Sequence, residues 1–93
     1  MIQRFCFVKL HDHEALARAE LADKLRAELA AAGADAIVGV PADASAARWD
    51  LSITISAASL AAWHALAKLP AITVVFDALA ARAEVVKAWT FEH

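Results

Sequence analysis

The feature that most constrains this chain is an opening strand that is apolar on both faces. Residues 2 to 10, Ile-Gln-Arg-Phe-Cys-Phe-Val-Lys-Leu, are rich in aromatic and β-branched types and predict a strand. Because successive strand side chains alternate, Ile2, Arg4, Cys6, Val8 and Leu10 share one face and Gln3, Phe5, Phe7 and Lys9 the other. Both faces are apolar at the centre, so both need cover, and the chain is short of material to supply it. Of its 93 residues 61% are hydrophobic, but 26 are alanine, which leaves 31 larger apolar side chains for a core. A chain of this size buries only about two thirds of the surface its unfolded form exposes, and self-association commonly supplies the missing burial.

Charge and cysteine content narrow the functional classes. The net charge is -2 and no run of like charge exceeds two residues, which argues against a nucleic-acid partner. No apolar run reaches the roughly 18 residues of a membrane span, and no secretory pattern opens the chain, so a cytoplasmic protein without a membrane partner is expected. The single Cys6 excludes an internal disulfide.

After the first strand, His11-Asp12-His13-Glu14 breaks the pattern, with Asp12 an expected helix N-cap and Glu14 in the first turn. Leu21, Leu25 and Leu29 recur every four residues as a buried stripe, and Glu14/Arg18 and Glu20/Lys24 are expected i,i+4 pairs on the wet side. Gly33 is the C-terminal stop. Ala36 to Val40 predicts a short second strand ending at Pro41. Residues 50 to 56, Asp-Leu-Ser-Ile-Thr-Ile-Ser, alternate strictly, with Leu51, Ile53 and Ile55 on one face of a third strand. Ser56 or Ser59 caps a second helix with Leu60, Trp63, Leu66 and Ala67 on one face, until Pro70 stops or bends it. Ile72 to Phe76 fits a strand by its β-branched run and a helix by the stripe Ile72, Val75, Phe76 and Leu79. Glu84 to Phe91 predicts the last strand.

With residues 71 to 82 helical, the order is β-α-β-β-α-β, a ferredoxin-like α+β fold in one domain spanning residues 1–93: a four-stranded antiparallel sheet with two helices on one face. Only one of the sets Phe5/Phe7 and Cys6/Val8 then meets the helices. No third layer exists to cover the phenylalanines, so a second copy is expected to do so, sheet against sheet, in a two-fold homodimeric barrel. An RNA-binding module shares this element order but needs stacking aromatics on the third strand and a basic face, which Leu51 to Ser56 lacks.

These residues resemble the stress-responsive α/β barrel (Dabb) family, dimers of ferredoxin-like units. The start Met-Ile-Gln-Arg-Phe-Cys-Phe-Val-Lys-Leu is similar to the family's Met-Ile-Arg-His-Ile-Val-Leu-Phe-Lys-Leu. Trp49-Asp50-Leu-Ser-Ile-Thr-Ile-Ser56, with Trp63 seven residues on, resembles its Tyr-Asp strand, serine cap and helix aromatic, and Pro70, Phe76 and Glu84 to Phe91 resemble its helix break, later Phe and closing strand. The resemblance favours the helical reading of residues 71 to 82. It also implies a pocket between sheet and helices, lined here by Arg4, Cys6, Leu51, Ile53, Trp63, Ile72 and Phe76. Some members are polyketide cyclases that use histidines in that pocket. Arg4 and Leu51 stand at two of those positions, and the family's His-Pro-x-His reads Leu69-Pro70-Ala71-Ile72, so no group able to abstract a proton near neutral pH occupies them.

Individual side chains carry competing readings. His11-x-His13 with Asp12 and Glu14 offers imidazole and carboxylate ligands to a metal, or is a set of solvated loop residues; no metal site is assigned. Cys6 is a small buried hydrophobe, or a nucleophile activated by Arg4, the one cation beside it. His64 lies off its helix's apolar stripe, on the surface, and His93 is terminal. Arg4 binds a carboxylate ligand at the pocket mouth, or reaches water and pairs with Glu92. Trp63, Phe76 and Trp89 line a pocket for a flat molecule, or are core. The role of Lys87 stays open. Together these lead to a homodimer that binds a small apolar or aromatic acid without a cofactor. The alternatives are a polyketide cyclase-like or cofactor-free monooxygenase-like enzyme and a non-catalytic structural or assembly module.

Overall fold

A computed structural model describes residues 1–93. The strands are β1 (Ile2–Leu10), β2 (Asp35–Gly39), β3 (Leu51–Ala57) and β4 (Ala83–Glu92), and the helices α1 (Arg18–Ala31), α2 (Leu60–Ala67) and α3 (Pro70–Arg82). All strand pairings are antiparallel in the order β2-β3-β1-β4. This is the ferredoxin-like α+β arrangement, with β1 at the sheet centre, where its two apolar faces matter most. Cys6 pairs with Ile53 on one side and Ala88 on the other.

Alternation in β1 and β3 sorts the core. Cys6, Val8, Leu10, Leu51, Ile53 and Ile55 are each at most 5% exposed, packed with Leu21, Leu25 and Leu29 of α1 and Ile72, Val75 and Leu79 of α3. The segment that local rules left between strand and helix is therefore helical, because its 3.6-residue stripe meets this core. The other face holds Phe5 and Phe7 with Trp49, Trp89 and Phe91. Phe5 meets Phe91 edge-on at 5.9 Å, and Phe7 lies between Trp49 and Trp89 at 5.8 and 6.0 Å. No layer of the chain covers this face: Trp89, Phe91 and Ile37 remain 47%, 53% and 73% exposed.

The start of the first helix departs from expectation. A 3-10 segment, Asp12–Ala17, precedes α1, whose N-cap is Ala17 without a side-chain cap; Asp12 is solvent-exposed and caps nothing. The expected surface pairs Glu14/Arg18 and Glu20/Lys24 do not form: Glu14 lies outside the α-helical geometry that i,i+4 neighbours require, and Lys24, inside α1, turns to Glu28 instead of Glu20. Glu14 instead accepts a forked contact from Arg82, at 2.8 Å from Nε and 2.6 Å from Nη2. Arg18 reaches Asp50 at 3.0 Å, and Lys24 meets Glu28 at 3.7 Å. Asp50 is the one buried charged residue. Its second oxygen accepts the Leu10 N–H at 2.8 Å, so one carboxylate ties the end of β1, the edge of β3 and the foot of α1 together.

The C-terminal end of α1 follows expectation. Gly33, at φ +82°, takes the left-handed position; its N–H donates to the Ala30 carbonyl and that of Ala34 to Leu29, which satisfies carbonyls the helix leaves open. Ser59 rather than Ser56 caps α2, accepting the Ala62 N–H at 3.1 Å. Pro70 both stops and bends: α2 ends at Ala67, Pro70 opens α3 where its missing N–H costs nothing, and the two axes meet at 71°. The expected second helix is thus two helices. No single helix is long and apolar enough to cross a membrane.

Candidate functional site

The bend at Pro70 shapes a cavity. α1 packs over β2, whose Val38 carbonyl accepts two bonds from Arg26, while α2 packs over β3 and α3 over β4. Two short helices meeting at an angle cannot lie flat on a twisted sheet, and the small Ala67 and Ala88 do not fill the gap between them. The result is a cavity of about 280 Å³. Buried Cys6, Ile53, Ile55 and Ile72 form its floor; Trp63 and half-buried Phe76 form a wall; exposed Thr73, Asp77 and Val86 mark its rim.

Arg4 is the cation of this site. It sits opposite Thr90 and Ile55 on the sheet, its Nη1 donates to Thr90 Oγ1 at 3.0 Å, and its guanidinium lies 5.6 Å from the centre of the Trp63 ring. Glu92, expected as its partner, stands opposite Ile2 instead and does not pair with it. No carboxylate lies within ion-pair distance of Arg4. Asp77 is likewise without an ion pair, and no side-chain hydrogen bond engages its carboxylate. Cys6 is a poor nucleophile here: burial pushes its thiol up from the ordinary value, and the nearby Arg4 charge offsets this only in part.

Of the residues expected to face a ligand, Arg4, Cys6, Ile53, Trp63, Ile72 and Phe76 line the cavity. Leu51 does not. It pairs with Val8, toward the sheet end closed by α1 and Asp50, whereas the cavity lies at the level of Cys6 and Arg4. Leu51 instead borders a separate hollow with Phe7, Pro41 and Trp49. Trp89 is also misplaced by the pocket reading: Val86 and Ala88 face the cavity, so alternation turns Trp89, and with it Lys87, to the open sheet face. Sequence reasoning missed Ile55, which the alternation of β3 already put beside Ile53, and the pair Thr73 and Asp77, whose i,i+4 spacing places both on one side of α3. His11 and His13 stack with ring centres 5.8 Å apart, but no group of three or more His, Cys, Asp or Glu side chains is placed to hold a metal.

No protein-family model and no curated protein matches the sequence. Solved structures do match. A dimeric protein of unknown function and ferredoxin-like fold from Bacteroides fragilis is 17% identical with a TM-score of 0.78, over 99% of this chain and 95% of that one. A dimeric ferredoxin-like protein from Thermobifida fusca is 12% identical with a TM-score of 0.80, over 99% and 90%. A putative antibiotic biosynthesis monooxygenase from Deinococcus radiodurans is 22% identical with a TM-score of 0.74, over 100% and 92%. The chain shares their fold. At these identities the likeness concerns backbone architecture, and the chemistry of the cavity rests on its own side chains.

Proposed function

We propose that the chain is a single stress-responsive α/β barrel-like domain, residues 1–93, that pairs with a second copy through its open aromatic face and binds a small apolar or aromatic acid between sheet and helices. Arg4 carries the binding half of this reading. Its guanidinium is held at an apolar cavity by Thr90 and Trp63 and lacks an anion. A planar guanidinium suits a carboxylate bidentately, and desolvating it without a partner is costly. The cavity, at about 280 Å³, lies just below the usual range of small-molecule pockets, which suits a one-ring compound. The pairing half is supported by the face built from Phe5, Phe7, Trp89 and Phe91 and by neighbours described as dimeric. Full burial of such side chains stabilises by roughly 1.5–3 kcal/mol each.

A second reading, a cofactor-free monooxygenase-like or polyketide cyclase-like enzyme, draws on the Deinococcus neighbour's name and on Asp77, the one carboxylate on the cavity wall. Native mass spectrometry of freshly purified protein tests the first reading. The expected result is a dimer carrying up to one small acid per subunit, with Arg4→Gln weakening uptake of benzoate by about tenfold or more. A monomer overturns the pairing. A cavity that takes up no acid leaves a non-catalytic assembly module in its place.

A further inference from the structure

The cavity presents opposite charges from its two walls. Arg4 projects from the sheet and Asp77 from α3, both border the same cavity, and neither takes part in an ion pair with the other or with any other residue. Arg4 is tethered on its own side by Thr90 and Trp63, so it is held toward the sheet instead of collapsing onto Asp77. One turn before Asp77, Thr73 uses its hydroxyl proton on the Pro70 carbonyl at 3.1 Å, which leaves its oxygen free only to accept. The helix wall therefore offers acceptors, a carboxylate and a hydroxyl oxygen, while the sheet wall offers a fork of donors. The surfaces between them, Trp63, Phe76 and Ile53, are apolar.

Resting on the reading of Arg4 as the carboxylate anchor, we propose that Asp77 determines specificity: the ligand is an aromatic acid that carries a hydrogen-bond donor, a hydroxyl or an ammonium, on the side of the ring away from its carboxylate. A plain apolar acid satisfies Arg4 and the ring contacts but brings its bare edge against an anion. An acid with a donor at the far end meets Arg4 and Asp77 at once, and its ring spans the apolar stretch between them. Discrimination of this kind is strong, because a polar group that loses water and gains no partner is penalised more than a missing methylene.

Calorimetric titration of the 93-residue chain with benzoate, para-hydroxybenzoate and para-aminomethylbenzoate tests this. The two donor-bearing acids are expected to bind about tenfold or more tightly than benzoate, the gain of one charge-assisted hydrogen bond. Asp77→Ala, at an exposed helix position where alanine is well tolerated, is expected to bring the three acids to within about twofold of one another, the donor-bearing acids losing affinity and benzoate, relieved of the carboxylate at its bare edge, gaining. Equal affinities for all three acids in the unaltered protein overturn the assignment while leaving Arg4 as an anion anchor. So does an Asp77→Ala variant that tightens all three alike, since Asp77 would then act only by competing for Arg4. If none of the acids binds, the anchor itself is lost, and the specificity assignment with it.

Discussion

Asp50 does more for stability than its charge suggests. It is buried, and its two oxygens serve the Leu10 N–H and the Arg18 guanidinium, so Asp50→Ala strands a buried N–H and frees a cation. A loss of about 1–3 kcal/mol in urea unfolding is expected, with Asp50→Asn less damaging because it retains an acceptor for Leu10. Cys6 is expected to react slowly with a disulfide probe in the native state and rapidly once unfolded, since burial both hides the thiol and holds it protonated. At the surface, the 2.8 Å hydrogen bond between Lys9 and Glu84 raises the lysine pKa and lowers the glutamate's. The glutamate's contribution is present above its unfolded pKa and lost as pH falls through the lower folded value; the lysine's is present below its unfolded pKa and lost as pH rises through the higher folded value. Glu84→Gln is therefore expected to flatten the acid limb of stability against pH, and only slightly, because both groups are solvated.

The helices show how far local signals reach. Gly33 and Ser59 act through backbone geometry and one short bond, which depend on immediate neighbours alone, so the glycine stop was legible outright and the cap was narrowed to Ser56 or Ser59. Ser59→Ala is expected to cost about 1 kcal/mol of stability by thermal or chemical unfolding, the usual loss for a serine N-cap. Asp12 carries the same local signal and fails as a cap. Glu14 and Arg18 pair with Arg82 and Asp50, far away in sequence, and the stretch before Arg18 is a 3-10 segment instead of a first α-helical turn. Pro70 is the same residue type whether it ends a helix or starts one, and only the core position of Ile72, Val75 and Leu79 sends the chain into α3.

For the molecule as a whole, the open sheet face is the outstanding feature. A lysine in place of Phe7 puts a charge between Trp49 and Trp89 on the surface proposed to meet a second copy. Phe7→Lys is expected to sediment as a folded monomer, with the circular dichroism of the unaltered protein, because the helix-side core does not include this side chain. A variant that stays dimeric would place the pairing surface elsewhere. The cavity lies on the opposite side of the sheet, so a monomer that still takes up the proposed acid would separate the roles of the two faces.

Alternation is a property of the covalent backbone. It therefore placed Phe5 and Phe7 together against Cys6 and Val8, and Leu51 in line with Ile53 and Ile55, before any fold was known. Which of those lines borders empty space is a different matter. Leu51 and Ile55 belong to the same face of the same strand, yet one lies under the closed end and the other beside Arg4, because the angle between α2 and α3 sets where the cover lifts. Asp77 entered the site in the same way, brought opposite Arg4 by a bend and a crossover. Contacts between residues so distant along the chain arise from packing geometry, which no short stretch of residues encodes.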